Sequence, residues 1–313
     1  MTIDKILALG QTAMELGLIN SLTVLSLFLS YSMLNVCDLS TDGCYTLGAA
    51  VGALVAIAGY PWLSLPAAML AGTISGFVTA TLQTRMGVQS LLAGIVVNTA
   101  LYSVNMALTG NKATLSMNKT PTIFAMAKNL LKETPLAGQS TLIVMLIVVA
   151  LVICFLCFFL KTKLGLAIRA TGSNADMVRS SSINPTFTTT VGLCVSNAFT
   201  GLSGCLMAQQ AKSFDINMGS GMVTVALASL LIGGVFFAKH RPIPLRAVGA
   251  VLGAFLFRMV YALALRLDMP AFMLKLVSSV IVVIAISGPY LRTQLPLILR
   301  RWQAAREGRK AGA

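Results

Sequence analysis

The sequence predicts an all-α fold: a polytopic membrane helical bundle of about nine transmembrane helices, between eight and ten, with discontinuous helices and an inverted repeat. Three observations predict it. Of 313 residues, 57% are hydrophobic and only 10% charged, and the mean hydropathy is +0.85, far from the balance of a soluble domain. Uncharged apolar runs recur at 16–35, 45–59, 61–82, 86–109, 139–160, 187–210, 216–238, 247–265 and 271–290. A membrane helix needs ~20 residues, so these read as nine spans, with 45–59 short for one. The third observation is where the net charge of +14 sits. Lys and Arg gather at 161–186, at 239–246 and after 291, and alternating the spans brings these together with Arg85 on one side, which holds 14 of the 23 cations. The positive-inside rule makes that side cytoplasmic, with the C-terminus inside and, for nine spans, the N-terminus outside. The basicity therefore reads as topology and not as nucleic-acid binding.

Taken in order, the chain begins MTIDKILALGQTAMELG. It lacks the basic head and small-residue cleavage site of a secretory signal, so the first run reads as a retained anchor. DLSTDG (38–43) then places Asp38 and Asp42 in apolar surroundings; alone, it reads as a polar turn between spans. In the 86–109 run, Asn98, Tyr102 and Asn105 follow i, i+4, i+7 spacing and share one helix face. Such a face lines a pathway or hydrogen-bonds to neighbouring helices. The outer connection 110–138 contains PTIFAMAKNLLK, whose spacing suits a short interfacial helix or lid.

Cys154 and Cys157 form a CxxC inside an apolar run with no charged neighbour to activate a thiol, and read as packing residues. The single His240 leaves no ligand set for a zinc site. The inner loop KTKLGLAIRATGSNADMVRSSSINPTF predicts two short helices. The first, about 164–171, should stop at Gly172. Ser173 or Asn174 should cap the second, with Asp176 in its first turn and Arg179 beyond. An exposed capped helix between spans suits docking on a soluble partner, or lying on the membrane surface.

Arg258 lies roughly eight residues, ~12 Å, below the outer end of its run. A charge so deep must face protein, water or an anion, so a buried ion pair and a place in a substrate path both stand. Lys275 is shallow enough to reach the interface.

Glycine pairs 48/52, 72/76 and 249/253 provide close-packing faces. DGCYTLGAAVG (42–52) resembles SGMVTVALASL (220–230), and MGVQSLLAGIVV (86–97) resembles MPAFMLKLVSSVIVV (269–283). The similarity predicts halves at 12–110 and 139–291 in one transmembrane domain spanning 1–313, with inverted orientation. DLSTDG then becomes the interruption of a discontinuous helix, whose Asp38 and Asp42 cap a half-helix and pair with basic groups. No GxxxxGK[ST], HExxH or GxSxG motif occurs, so no catalytic residue is assigned.

GLINSLTVLSLFLSYSMLNVCDLSTDGCYTLGAAVGA and GLAIRATGSNADMVRSSSIN together resemble permease subunits of bacterial ATP-binding cassette importers in the branched-chain amino acid and ribose permease superfamily, nearest the tryptophan/tyrosine transport permeases. The matching residues are Asp38, Leu39, Ser40, Asp42, Gly43, Leu47, Gly48, Ala49 and Ala50, and Gly165, Arg169, Ala170, Gly172 and Asn174. The chain departs at 31–34, where YSML replaces an Arg-containing run, and at Ser181 and Ser182, where Leu-Gly is usual.

The resemblance implies an amino acid importer subunit, aromatic solutes favoured, in the bacterial inner membrane. It implies a second permease copy as homodimer partner, surrounding lipid, an extracytoplasmic solute-binding protein, and a cytoplasmic ATPase that binds ATP and Mg; this chain itself holds no cofactor and no metal. The 162–186 loop would be the coupling loop, its 174–183 helix docking on the ATPase through Gly165, Arg169, Gly172, Asn174, Asp176, Arg179 and Asn184. Residues 292–313 would be a basic cytoplasmic tail. Asp38, Asp42, Asn98, Tyr102, Asn105 and Arg258 are the candidates for the substrate path. An autonomous ion-coupled secondary transporter would also explain inverted halves and broken helices.

Overall fold

A computed structural model describes residues 3–118, 120–130, 139–236 and 242–266, with scattered residues between 273 and 287. The 271–290 run with Lys275, His240 and the tail from 292 fall wholly or mostly outside these. The elements are α1 (Ile3–Leu27) continuing into a π-helical turn (Phe28–Met33), α2 (Thr41–Ile57), α3 (Ser64–Thr84), α4 (Ser90–Leu108), β1 (Thr114–Ser116) and α5 (Ile123–Leu130). There follow α6 (Ser140–Phe159), α7 (Lys163–Ser173), α8 (Ala175–Ser180), α9 (Pro185–Ala211), β2 (Ser213–Asp215), α10 (Met222–Phe236) and α11 (Ile243–Arg266). The chain is an all-α polytopic bundle, as expected.

Six helices among the described residues are long and apolar enough to cross a membrane, while α2 and α10 are shorter apolar helices. The nine runs thus do not translate into nine full spans. Two of them, 45–59 and 216–238, are these short helices.

Two of the long helices are central. The apolar windows of α1 and α9 are 78% buried, against 22–39% for the other four. α9 packs chiefly on α2 and α3, and α1 on α11 and α9. Small residues permit this. A Cβ at Gly48 would run into the Gly201 carbonyl, and one at Gly201 would run into that of Ala68; only hydrogen fits where three backbones meet. The large apolar side chains of α1 and the π turn, including Leu22, Leu25 and Phe28, fill the main core instead.

At one end, β1 and β2 pair antiparallel, Leu115 opposite Phe214. This ribbon lays Met117 and Phe214 over Ala49, Ala53 and Ala208. α5 is the short helix expected in the outer connection, and it buries Ile123, Phe124 and Ala127. The Ile123 amide donates to Gln209 Oε1 at 3.0 Å, which ties α5 to the end of α9.

Candidate functional site

The acids of DLSTDG sit where two short helices begin. A helix N-terminus leaves backbone N–H groups without partners, and in a membrane no water supplies them. Asp38 serves α2. Its Oδ1 accepts from the Ser40 amide at 2.9 Å and the Ser40 hydroxyl at 2.6 Å, while Thr41 Oγ1 donates to the Asp38 carbonyl at 2.9 Å. Its Oδ2 accepts from Asn197 Nδ2 at 2.7 Å. Asp42 serves the other helix: its two carboxylate oxygens accept from the Gly221 amide at 2.9 Å and the Val223 amide at 2.8 Å, at the start of α10. Asn197 is twelve residues into α9, about 18 Å along its axis, so the junction lies at mid-depth. This is the broken-helix geometry and not a surface turn.

The expected pairing of these acids with cations is replaced by amide and hydroxyl donors. Among the described residues the only ion pair joins Arg179 and Asp176. At mid-depth the nearest unsatisfied positive ends are helix N-termini, and a carboxylate meets them without a second buried charge.

The junction also gathers residues that sequence reasoning passed over. Asn197 belongs to N-A-F-T-G-L-S (197–203), and α1 carries N-S-L-T-V-L-S (20–26). The common pattern N-x-x-T-x-L-S, at an offset close to that of the noted similarity, was the signal available. The two copies cross and bond. Ser26 and Ser196 hydroxyls lie 2.8 Å apart, Thr200 Oγ1 donates to Ser26 Oγ at 2.7 Å, and Ser203 Oγ donates to the Ile19 carbonyl at 2.7 Å.

Of the other path candidates, Asn105 Nδ2 donates to the Gly43 carbonyl at 3.3 Å, and Asn98 Oδ1 lies where a Gly43 side chain would go. Tyr102 is 52% exposed and does not join them. The face that α4 turns to α2 runs through Val97, Leu101 and Asn105, and Tyr102 lies beyond its edge. Arg258 sits over the Tyr261 ring at 5.4 Å, and its Nε is buried without a hydrogen-bond partner. Arg258 thus has no carboxylate partner among the described residues.

The inner loop folds from local signals. Thr162 Oγ1 accepts from the Gly165 amide at 3.3 Å and caps α7. Asn174 Oδ1 accepts from Asp176 and Met177 amides at 3.1 and 3.0 Å and caps α8, and Asn184, followed by Pro185, does the same for α9. Gly172 does not end α7, which runs on to Ser173 and stops because Asn174 turns extended. Its missing side chain serves packing, since a Cβ there would strike the Met33 carbonyl. α8 projects Asp176, Met177 and Arg179 outward, all exposed, and buries only Val178. Arg169 lies on α7 and faces a cavity with the π turn, apart from α8.

A model of the family "Branched-chain amino acid transport system / permease component" matches residues 12–286. A tyrosine transport system permease protein of Clostridioides difficile is 31% identical over 278 residues, covering 87% of this chain and 88% of that protein. A guanosine ABC transporter permease protein of Bacillus subtilis is 28% identical, covering 76% and 72%. An autoinducer 2 import system permease protein of Yersinia enterocolitica is 25% identical, covering 72% and 58%. No solved structure matches. The chain belongs to this permease family, whose members are membrane subunits of ATP-binding cassette systems.

Proposed function

From that membership we propose that the chain is the transmembrane subunit of an importer that carries a small solute, an amino acid with aromatic ones favoured, into the bacterial cytoplasm. The observation that carries this is the 31% identity over 87% of the chain to a tyrosine transport permease. The exposed, capped α8 supports a docking role on a separate ATPase, which binds ATP and Mg and hydrolyses the nucleotide. Asp176, Met177 and Arg179 would contact it, while Gly165, Gly172, Asn174 and Asn184 hold the loop in shape. The remaining parts of the reading are a solute-binding protein on the outer side, a second copy of the chain, surrounding lipid, and a cytoplasmic C-terminus. The two short helices meeting through Asp42 support the reading of two related halves. Motion of α8 would reach the core through α7, whose Gly172 rests on the end of the π turn.

The test is uptake of radiolabelled L-tyrosine into proteoliposomes holding the chain, its ATP-binding cassette subunit and its solute-binding protein. ATP-dependent uptake is expected. Asp176→Lys should leave the protein folded and lower coupled uptake by about tenfold, the loss of ~1.4 kcal/mol of docking. Transport by the chain alone in an ion gradient would overturn the importer reading in favour of a secondary transporter.

A further inference from the structure

A cavity of about 610 Å³ opens between the π turn, α7, α10 and the start of α11, lined by Phe28, Tyr31, Ser32, Asn35, Arg169 and Arg246 among others. It is separate from the DLSTDG junction, none of whose residues lines it. Arg246 lies over the Phe28 ring at 5.4 Å. Arg169 reaches the same space from α7, and the two positive charges act on each other. Neither arginine has a carboxylate partner among the described residues. Two guanidiniums converging on one concave, partly apolar space repel each other unless an anion joins them. The π turn supplies a second sign, because such turns gather at functional positions. It places Phe28, Tyr31, Ser32 and Met33 on the cavity wall, followed by Asn35 at φ +58°. Met33 and Leu230 add apolar wall, and the volume suits one small organic molecule.

We infer that this cavity binds a small amphipathic carboxylate, with Arg169 and Arg246 on the carboxylate and the Phe28 side on its apolar part. The solute class rests on the reading proposed above. The site lies on the end of the bundle that carries α7 and α8, so it meets solute on the side where α8 docks. Its own chemistry, paired guanidiniums on an oxyanion, would equally accept a lipid phosphate, and the experiment separates the two sources.

The purified chain, without ATPase or binding protein, is placed in nanodiscs of phosphatidylcholine and titrated calorimetrically with L-tyrosine and with tyramine, which lacks the carboxylate. Saturable binding of L-tyrosine is expected, with tyramine weaker by at least about tenfold and Arg246→Gln weakening L-tyrosine by a similar factor. Leu230→Trp, which fills the space without touching charge, should also abolish binding and carries the test if Arg246→Gln does not fold. Equal binding of both compounds, or unchanged L-tyrosine binding in Leu230→Trp, overturns the site. So does loss of L-tyrosine binding when phosphatidylglycerol replaces phosphatidylcholine, since the arginines would then hold lipid. Binding retained while ATP-driven uptake fails would sink the importer and leave the site standing; uptake without binding would do the reverse.

Discussion

α1 and α9 carry the same N-x-x-T-x-L-S pattern in the two most buried helices, yet its Asn and Thr find hydrogen-bond partners only in α9, where Asn197 Oδ1 alone is left without one. Asn197 gives its amide to Asp38 and Thr200 gives its hydroxyl to Ser26. Their counterparts Asn20 and Thr23 are buried with side-chain atoms that find no hydrogen-bond partner. Gly201 in α9 stands where α1 has the fully buried Val24. The glycine lets α9 sit backbone to backbone against α2 and α3, and the valine keeps α1 at side-chain distance from its neighbours. One pattern therefore yields a helix packed backbone to backbone and another, packed through large side chains, that ends in a π turn beside the arginine cavity. Buried groups without partners raise the energy of the arrangement that leaves them so; of the two helices, α1 has more to gain from rearranging.

The largest effect is expected from Gly201→Val, which makes α9 match α1. Its Cβ meets backbone, which cannot yield, so the cost should exceed the ~1–3 kcal/mol usual for overpacking. The protein should no longer elute as a single species in detergent; a wild-type profile would mean that α3 is farther away than described.

Next comes a matched pair. Asn197→Leu leaves the buried Asp38 carboxyl short of a donor and should lower stability by about 2 kcal/mol. Asn20→Leu removes groups already without partners, and should be neutral or raise stability by up to ~1 kcal/mol. Thermal melts of the two variants in one detergent decide it, and equal shifts would erase the asymmetry. The smallest change is Ser203→Ala. It deletes one interhelical bond to Ile19 and should cost about 0.6 kcal/mol, the average for such bonds in membranes, read as a melting shift at the edge of resolution.

Local features were legible. Asn174 caps α8 as its spacing implies, because a cap bonds only two or three residues ahead. The apolar runs located every long helix, because hydropathy is read from each segment alone. Long-range features were not. The partner of Asp42 lies 179 residues away at Gly221, and no local rule reaches that far. Gly172 looked like a helix stop because glycine at a helix end usually is one; here the π turn behind it decides its use. Tyr102 shares a face with Asn98 and Asn105 on paper, yet neighbours cover only part of that face.

By itself the sequence determined that this chain is a membrane bundle, roughly where its long helices lie, and, through DLSTDG and the inner loop, which family it belongs to. Those properties depend on the solvent each segment prefers and on bonds within a turn or two. Only the tertiary structure decided that Asp42 caps a helix 179 residues along the chain, that the Asn and Thr of one N-x-x-T-x-L-S copy find partners while those of the other do not, and that Arg169 and Arg246 face one cavity. Each of these requires two distant backbones to be brought within a few ångströms, and that distance is set by which side chains are small enough to let them meet.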